Sequence, residues 1–346
     1  MNIPASTAPR SAAPPPASVS SLDDTTRRAF RKGQRRKFSA QTAADKWWLA
    51  LMVAIPAFLH IMLVWVPATG TVILSFTEWD NLLPLSEATW VGFHNYWVIF
   101  TIFDNLLFPA LFNNFVLIFW LAFCSMLGMA MAYLLDKNVR GSRFYQSVYY
   151  FPVVLSLAVV GFIWKSTMFS ADTGLLNILW PGEPIDFVGD STKIFEISIP
   201  FLDFPLGLSR NFAALMVAML WRHAGYIMVM YLAGLKAVDP ALREASAIDG
   251  CNEWQAFRHV VFPALKPINV VVVVITVIEA LRAYDIIAAL NEPRGTEVMG
   301  TLVTNSLTGE GGGRVGIGSA YGVVLLILCI GFIIWYVANH YRESER

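Results

Sequence analysis

The fold of this chain is decided by a polar stretch that lies between two apolar runs. Residues 237–263 read AVDPALREASAIDGCNEWQAFRHVVFP, and the flanking apolar runs cover 212–235 and 268–290. A run of about twenty apolar residues is long enough to cross the ~30 Å hydrocarbon core of a bilayer as one helix. We therefore interpret 237–263 as a loop that joins two membrane-spanning helices on one side of a membrane.

The quoted stretch carries the signals of two short helices. Asp239 is a typical N-cap with Pro240 at the first helical position, and Gly250 stands where a C′ glycine ends a helix. Asn252 followed by Gln255 indicates a capping box for the second helix. At helical spacing, one stripe of the first helix holds Ala241, Ala245 and Ile248. This pattern favours a rigid helix pair that docks into a groove over an ordinary amphipathic loop lying on the membrane.

The rest of the chain repeats the pattern of long apolar runs. Apolar residues make up 56% of the 346 residues and charged residues 14%, whereas soluble domains carry about a quarter charged residues. Further runs lie at 47–76, 108–135, 148–169 and 319–339. The sequence therefore predicts an all-α integral membrane protein with six transmembrane helices and excludes a soluble enzyme.

The basic residues indicate how these helices are oriented. Eighteen of the 25 Lys and Arg residues fall in alternate connections, and the opposite loops are acidic. The basic connections are the N-terminal tail, 136–146, 236–267 and the C-terminal end. Because cytoplasmic loops are enriched in Lys and Arg, both termini are predicted to be cytoplasmic.

Three segments follow from this arrangement. Residues 1–46 are rich in Pro, Ala and Ser and end in a basic cluster, which predicts a disordered basic cytoplasmic tail. Beside a membrane helix, that cluster is better interpreted as a topology anchor than as a nucleic-acid or lipid-binding arm. Residues 47–340 form the transmembrane domain, and 341–346 form a short cytoplasmic C-terminus.

Motifs for catalysis or cofactor binding are weak. Gly311, Gly313 and Gly316 satisfy G-x-G-x-x-G, but no strand precedes them and an apolar run follows, so we interpret this segment as a flexible external loop. No Gly-rich run is followed by Lys-Ser or Lys-Thr, so the chain has no Walker A loop of its own. The five histidines and three cysteines lack ligand spacing. We expect no catalytic residue, no metal and no cofactor bound by this chain.

The loop resembles the EAA loop of a known family, the inner-membrane permease subunits of binding-protein-dependent carbohydrate ABC importers of the maltose, glycerol-phosphate and alpha-glucoside type. The family pattern is Glu-Ala-Ala, three residues, Gly, nine residues and Ile-x-Leu-Pro. It falls on Glu244, Ala245, Ser246, Gly250, Val260, Phe262 and Pro263. Ser246, Val260 and Phe262 are conservative departures, and the resemblance covers roughly 47–340.

The resemblance implies a type I ABC importer permease domain in the bacterial inner membrane. Its EAA coupling loop, 237–266, would seat in a cleft of a cytoplasmic ATPase, with Glu244 pairing a basic residue there. The implied coupling residues are Arg243, Glu244, Ala245, Ser246, Asp249, Gly250 and Pro263. The implied partners are a second permease subunit in a heterodimer, two ATPase subunits that hold ATP and Mg, and an extracytoplasmic sugar-binding protein. No nucleic acid is expected.

Ionisable groups inside a membrane are expensive and are therefore functional candidates. Glu279, Arg282 and Asp285 are spaced so that, on one helix, Arg282 can pair with either carboxylate, and Arg222 is another possible partner for the acids. Such pairs either lock helices together or line a pathway.

Counting from the EAA glutamate places the family's sugar contacts nearby. The count falls near Met219, His223, Tyr226, Thr276, Glu279, Ala280 and Ala283. With Trp221 added as an aromatic face and Arg282 as an intramembrane charge, the substrate-pathway set is Trp221, His223, Tyr226, Thr276, Glu279 and Arg282. A neutral oligosaccharide or glycoside is expected as cargo, because Glu279 would repel a phosphate ester. The alternative is a self-sufficient secondary transporter with Glu279 and Asp285 as an ion relay.

Overall fold

A computed structural model describes residues 43–80, 84–137, 139–179, 182–290, 293–309 and 313–344. The chain divides into two compact units, Met1–Ala68 and Thr69–Arg346. Most of the predicted tail, residues 1–42, lies outside the described residues, as do 310–312 of the Gly-rich loop and 345–346 at the C-terminus.

The described part of the first unit is helical. Helix α1, Ala43–His60, continues through a π-helical turn at Ile61–Trp65 into α2, Val66–Leu74, which extends past the unit boundary. Together these segments give an apolar helix from Asp45 to Leu74, and none of the residues in its most apolar 18-residue stretch is buried.

The second unit is mainly helical, with two small antiparallel sheets. Its first part contains β1 (Thr77–Glu78), a 3-10 turn (Leu85–Glu87), β2 (Thr89–Trp90), α3 (His94–Thr101), α4 (Asp104–Asp136), α5 (Ser142–Val154), α6 (Leu157–Ile163), a π turn (Trp164–Met168), α7 (Leu175–Leu179), β3 (Lys193–Ile197) and β4 (Leu206–Ser209). Its second part contains α8 (Arg210–Ala237), α9 (Pro240–Ile248), α10 (Glu253–Ala256), a π turn (Phe257–Val261), α11 (Phe262–Ala264), α12 (Lys266–Leu281), α13 (Asp285–Ala289), α14 (Met299–Thr308) and α15 (Val315–Ser344).

The two sheets correct the all-α prediction. Thr77 lies opposite Trp90 in the β1–β2 ladder, and Ile197 lies opposite Leu206 in the β3–β4 ladder. Both ladders fall between the long apolar helices. A search for twenty-residue apolar runs does not detect strands of two to five residues, which is why the sequence analysis missed them.

The membrane-spanning segments are less regular than six straight helices. Among the described residues, four helices are long and apolar enough to cross a membrane, and six if two bent pairs each count as one. The pair Ser142–Val154 and Leu157–Met168 bends by 101°, because Leu155 is extended and the Ser156 side chain caps a new helix by accepting from Val159 N. The pair Glu253–Ala264 and Lys266–Leu281 bends by 74°.

Small residues bring the central helices into close contact. A Cβ added at Gly128 of α4 would lie 2.7 Å from the carbonyl oxygen of Ala224 on α8. A Cβ added at Gly225 would lie 2.1 Å from the carbonyl oxygen of Tyr149 on α5. Glycine is therefore required at both positions, as is common where membrane helices pack backbone to backbone.

Two asparagines of α4 compensate for the breaks in the α12–α14 region. Asn114 Nδ2 donates to the carbonyl of Ala280 (2.7 Å), and Met299 N donates to Asn114 Oδ1 (2.8 Å). Asn113 Nδ2 donates to the carbonyl of Glu297 (2.8 Å). Because an unsatisfied buried backbone group costs several kcal/mol, these amides stabilise the irregular backbone between α12 and α14.

Candidate functional site

A network of charged and polar side chains lies between α8 and α12. Glu279 on α12 accepts from Arg222 Nη1 through Oε1 and from His223 Nδ1 through Oε2, at 2.9 Å each. Both donors belong to α8. The side chains of Arg222 and Glu279 are 23% and 18% exposed, and that of His223 is 1% exposed. The carboxylate is thus partly desolvated and held by two donors from one neighbouring helix.

The network continues to α4 on the far side of His223. His223 Nε2 lies 3.1 Å from Ser125 Oγ, and Ser125 Oγ lies 3.0 Å from Thr276 Oγ1. Ser125 also donates to the carbonyl of Leu121 at 2.8 Å. Through these contacts α4, α8 and α12 share one hydrogen-bonded cluster inside an otherwise apolar core.

Glu279 opens on its other side into a cleft of about 380 Å³. The polar side chains that line the cleft belong to Arg222, Tyr226, Glu279, Arg282 and Asp285. Apolar side chains complete the wall, among them Val153, Leu157, Met219, Ile275, Ile278 and Ile286. The cleft therefore combines one aromatic ring, hydrogen-bonding groups and an apolar wall, the composition typical of a small-molecule site.

The structure divides the six predicted pathway residues into three groups. Tyr226, Glu279 and Arg282 line the cleft. His223 and Thr276 are buried behind Glu279 in the network. Trp221 is not part of the cleft wall, and its ring packs against that of Trp164, with 5.9 Å between centroids.

The predicted pairing of Arg282 with Glu279 or Asp285 is wrong. Within the described ranges Arg282 forms no ion pair, and both Arg282 and Asp285 are exposed. The prediction assumed one continuous helix, but α12 ends at Leu281 and α13 begins only at Asp285. Arg222, the other candidate, is confirmed as the partner of Glu279.

Ser125 belongs to the network but was not predicted from the sequence. A serine in an apolar run usually bonds to the carbonyl four residues earlier in its own helix, and Ser125 does so with Leu121. The sequence around Ser125 is accounted for by this local bond. It does not indicate the contacts with His223 and Thr276, which lie 98 and 151 residues away along the chain.

The loop between α8 and α12 has the predicted two-helix geometry. Asp239 Oδ1 accepts from Ala241 N at 2.9 Å, and Gly250 follows α9 with φ +79°. Asn252 and Gln255 form the predicted capping box, with both bonds at 2.9 Å. A side chain with a Cβ is disfavoured at the φ of Gly250, so glycine ends the first helix for the reason the spacing indicated.

The two sides of α9 differ in what they contact. The stripe of Ala241, Ala245 and Ile248 is exposed, and Ile248 is 86% exposed. Glu244 is exposed as well.

The opposite side of α9 faces the chain. Arg243 Nη1 donates to Asp136 Oδ2 of α4 at 2.7 Å, and Ser246 is buried. Of the seven predicted coupling residues, Glu244, Ala245, Asp249, Gly250 and Pro263 are exposed, whereas Arg243 and Ser246 point inward.

The second loop helix is also tied to α4. Lys137 Nζ donates to Glu253 Oε2 of α10 and lies 4.7 Å from the centre of the Tyr133 ring. The hydrogen bond to the Glu253 carboxylate raises the pKa of Lys137 above its ordinary value. In the described part of the chain, no cluster of three His, Cys, Asp or Glu side chains has the geometry to hold a metal ion.

Comparison with known families identifies the assembly to which such a chain contributes. Residues 125–343 match the family described as binding-protein-dependent transport system inner membrane component. The chain belongs to this family. The matched segment contains the network, the cleft and the whole EAA loop, so the two-helix loop and the resemblance stated for it agree with the family assignment.

Two relatives of this transport-system family illustrate the similarity. The alpha-glucoside transport system permease protein AglF of Rhizobium meliloti is 30% identical over 308 residues, covering 86% of this chain and 83% of the relative. The xylose/arabinose import permease protein XacH of Haloferax volcanii is 30% identical over 240 residues, covering 67% of this chain and 69% of the relative.

A solved structure supports the fold of this transport component. A chain in the crystal structure of a bacterial alginate ABC transporter, in complex with a periplasmic protein bound to an alginate pentasaccharide, aligns with a TM-score of 0.69. It is 18% identical and covers 86% of this chain and 95% of that chain. The chain is therefore a permease component of a binding-protein-dependent transport system, which favours that function over a self-sufficient secondary transporter.

Proposed function

We propose that this chain forms half of the translocation pathway for a neutral oligosaccharide or glycoside in an ATP-driven importer. The observation that carries the proposal is the charge balance of the cleft beside Glu279. Its four charged side chains, Arg222, Glu279, Arg282 and Asp285, carry formal charges that cancel. The printed names of AglF and XacH, an alpha-glucoside permease and a xylose/arabinose permease, support a sugar as cargo.

A phosphate ester fits this cleft less well than a neutral sugar. Arg222, the cation nearest Glu279, already donates to that carboxylate at 2.9 Å, so it is not free to neutralise a second anion. A dianion would be left with Arg282 alone, beside Asp285 and Glu279. A hydroxyl-rich neutral ligand instead gains hydrogen bonds from Arg282 and Asp285 and an apolar contact with the Tyr226 ring.

The proposed topology has six spans with both termini in the cytoplasm of a bacterial cell and the pathway crossing the inner membrane. Support comes from the basic bias of alternate loops and from the two bent helix pairs, each counted as one span. The loop that contains α9 and α10 then lies in the cytoplasm.

The proposed partners follow from the exposed surface of α9. Its apolar stripe ends in Ile248, which is 86% exposed, and Glu244 lies on the same exposed helix. We assign this surface to a cytoplasmic ATPase subunit. Two such subunits would hold ATP and Mg, so that catalysis resides outside this chain. A second permease chain completes a heterodimer, and an extracytoplasmic sugar-binding protein delivers the cargo.

Co-purification and transport test the proposal together. The chain is purified in detergent with the products encoded beside it, and an ATPase and a second permease are expected in one complex. The complex is then reconstituted with its binding protein, and uptake of labelled neutral glycosides and of glycerol phosphate is compared. Uptake of a neutral sugar that depends on both ATP and the binding protein is expected. Preference for glycerol phosphate over every neutral sugar would refute the charge argument, and uptake without an ATPase would refute the importer itself.

A further inference from the structure

The end of α4 carries two adjacent residues of opposite charge, and each pairs with a different helix of the loop. Asp136 Oδ2 accepts from Arg243 Nη1 of α9 at 2.7 Å. Lys137 Nζ donates to Glu253 Oε2 of α10. One turn of one helix therefore contacts both helices of the EAA loop through ion pairs.

The order of the charges makes these contacts specific. If the loop shifted so that the partners were exchanged, Lys137 would face Arg243 and Asp136 would face Glu253. Both exchanged contacts would bring like charges together and would be repulsive. The two ion pairs therefore favour one position of the loop on α4 over neighbouring positions.

Further contacts fasten the loop at the same place. Arg243 Nη2 also donates to the carbonyl of Leu235 in the last turn of α8, at 3.4 Å. The ring of Tyr133 packs against Phe257 with 4.7 Å between centroids, and its hydroxyl donates to the backbone carbonyl of Glu253 at 3.4 Å. The loop is thus bound to the ends of α4 and α8 by charged, polar and aromatic contacts.

Helix α4 connects this end to the cleft. Ser125 lies about three helical turns before Asp136 on the same helix, and it contacts His223 behind Glu279. No proline interrupts α4 between Ser125 and Asp136, and the helix is continuous there. A displacement of the loop can therefore reach the wall of the cleft as movement of one rigid helix.

We propose that Asp136 and Lys137 are positioning residues that hold both helices of the EAA loop to α4, so that the loop and the cleft wall move as one body. The proposal rests on the proposed function, because it takes the exposed side of α9 as the surface that receives ATP-driven motion. It also reassigns Arg243, which the sequence analysis placed among the ATPase contacts, to a contact within this chain.

The two ion pairs are expected to differ in importance. In the first pair the side chain of Asp136 is 11% exposed and that of Arg243 is 37% exposed. In the second pair Lys137 and Glu253 are 37% and 78% exposed. Ion pairs between exposed groups contribute little, whereas breaking a pair with a buried member leaves an uncompensated charge. The Asp136–Arg243 pair should therefore carry most of the effect.

A charge exchange tests the proposal in the complete reconstituted complex. Arg243→Asp alone and Asp136→Arg alone should each lower ATP-dependent uptake by roughly tenfold, because each places like charges in contact. The combined exchange Asp136→Arg with Arg243→Asp should restore uptake to within about threefold of the original chain. ATP hydrolysis stimulated by the binding protein is measured in parallel, since a positioning defect should lower uptake per ATP hydrolysed.

Control measurements separate positioning from folding. Arg210→Asp breaks the 3.0 Å pair between Arg210, the first residue of α8, and Asp190, and it should leave uptake unchanged because Arg210 is 61% exposed. Complex yield and melting temperature report assembly. If Arg243→Asp does not assemble, Arg243→Gln is used in the same assays and should lower uptake about fivefold.

Two outcomes would overturn the inference. One is normal uptake by an assembled Arg243→Asp or Arg243→Gln complex, and the other is an assembled double exchange that stays as impaired as the single variants. Failure of the proposed function would look different, because the unmodified chain would then not co-purify with an ATPase or not import a sugar.

Discussion

At the scale of single residues, Glu279 is held in a mostly apolar region by two donors from α8. Arg222 and His223 each donate at 2.9 Å, so both carboxylate oxygens are engaged within the chain. A direct contact between Glu279 and the substrate stays a prediction from the sequence. The structure adds that the same carboxylate holds α8 against α12.

Glu279→Gln separates charge from shape at this position. The amide keeps the size of the side chain but leaves Arg222, 23% exposed, without its counter-charge. Breaking such a pair costs about 2–5 kcal/mol, so we expect lower thermal stability of the complex and roughly tenfold lower uptake. Glu87→Gln changes an exposed glutamate in the 3-10 turn and should alter neither quantity. A melting temperature and uptake equal to those of the unmodified complex would show that the ion pair contributes nothing.

At the scale of helices and loops, close packing limits which residues can stand between α5 and α8. Gly225→Ala would place a Cβ 2.1 Å from the carbonyl oxygen of Tyr149, so the two helices must separate. Overpacking of this kind costs about 1–3 kcal/mol, and we expect a melting temperature several degrees lower in detergent. Gly331→Ala on α15 is the matched control, because nothing lies within 4 Å of its added Cβ. Equal melting of the two variants would contradict the packing described here.

The coupling loop makes the second prediction at this scale. Glu244→Lys reverses a charge on the exposed face of α9. Among the described residues, Glu244 belongs to none of the ion pairs within this chain. Insertion and folding should therefore be normal, while uptake should be lost because the assigned ATPase contact becomes repulsive. Glu183→Lys, a charge reversal at an exposed residue between α7 and β3, serves as the comparison. Full uptake by an assembled Glu244→Lys complex would remove Glu244 from the coupling surface.

Local signals predicted this loop better than they predicted the membrane helices. The signals in this loop are local, because each capping side chain bonds to the backbone two or three residues away and Gly250 ends its own helix. The local sequence is therefore enough to predict Asp239, Gly250 and the Asn252–Gln255 capping box. The helix break after Leu281 depends on side chains far along the chain, since Asn114 bonds to Ala280 from 166 residues away. Hydropathy therefore located the apolar segments but not the points at which they bend.

At the scale of the whole molecule, the basic tail is predicted to be separate from the transport cycle. Deleting residues 1–40 removes no apolar run and retains Lys46 and the basic residues of the later connections. We expect normal insertion, normal uptake and normal stimulation of ATP hydrolysis by the binding protein, measured on the reconstituted complex. Loss of stimulation in a correctly inserted truncation would assign the tail a part in the cycle.

The cleft shows which part of the site could not be predicted from the sequence. Tyr226, Glu279 and Arg282 were predicted from the sequence to share one pathway, and all three line the cleft, but Trp221 was predicted there as well and is not part of its wall. Offsets along a helix state which residues share a face, and they do not state which neighbouring helix covers that face. The contact of Ser125 with His223 and the contact of Arg243 with Asp136 both join different helices. They could therefore be identified only from the packed structure.

Three π-helical turns occur among the described residues, and they bear on how this chain should be aligned with its relatives. Each of them, Ile61–Trp65, Trp164–Met168 and Phe257–Val261, lies inside or against an α-helix, as π turns commonly do. A π turn contains one more residue than an α-helical turn, so a relative lacking it would be one residue shorter at that place and still helical. Because the extra residue is taken up within that one turn, the side chains beyond it keep the face of the helix that they have in the shorter relative, whereas a gap inside a regular α-helical stretch would rotate them by about 100° around the helix axis. A one-residue gap in an alignment with relatives should therefore be placed at Phe257–Val261, where it leaves the same side of the helix facing α4, rather than in the α-helices beside it.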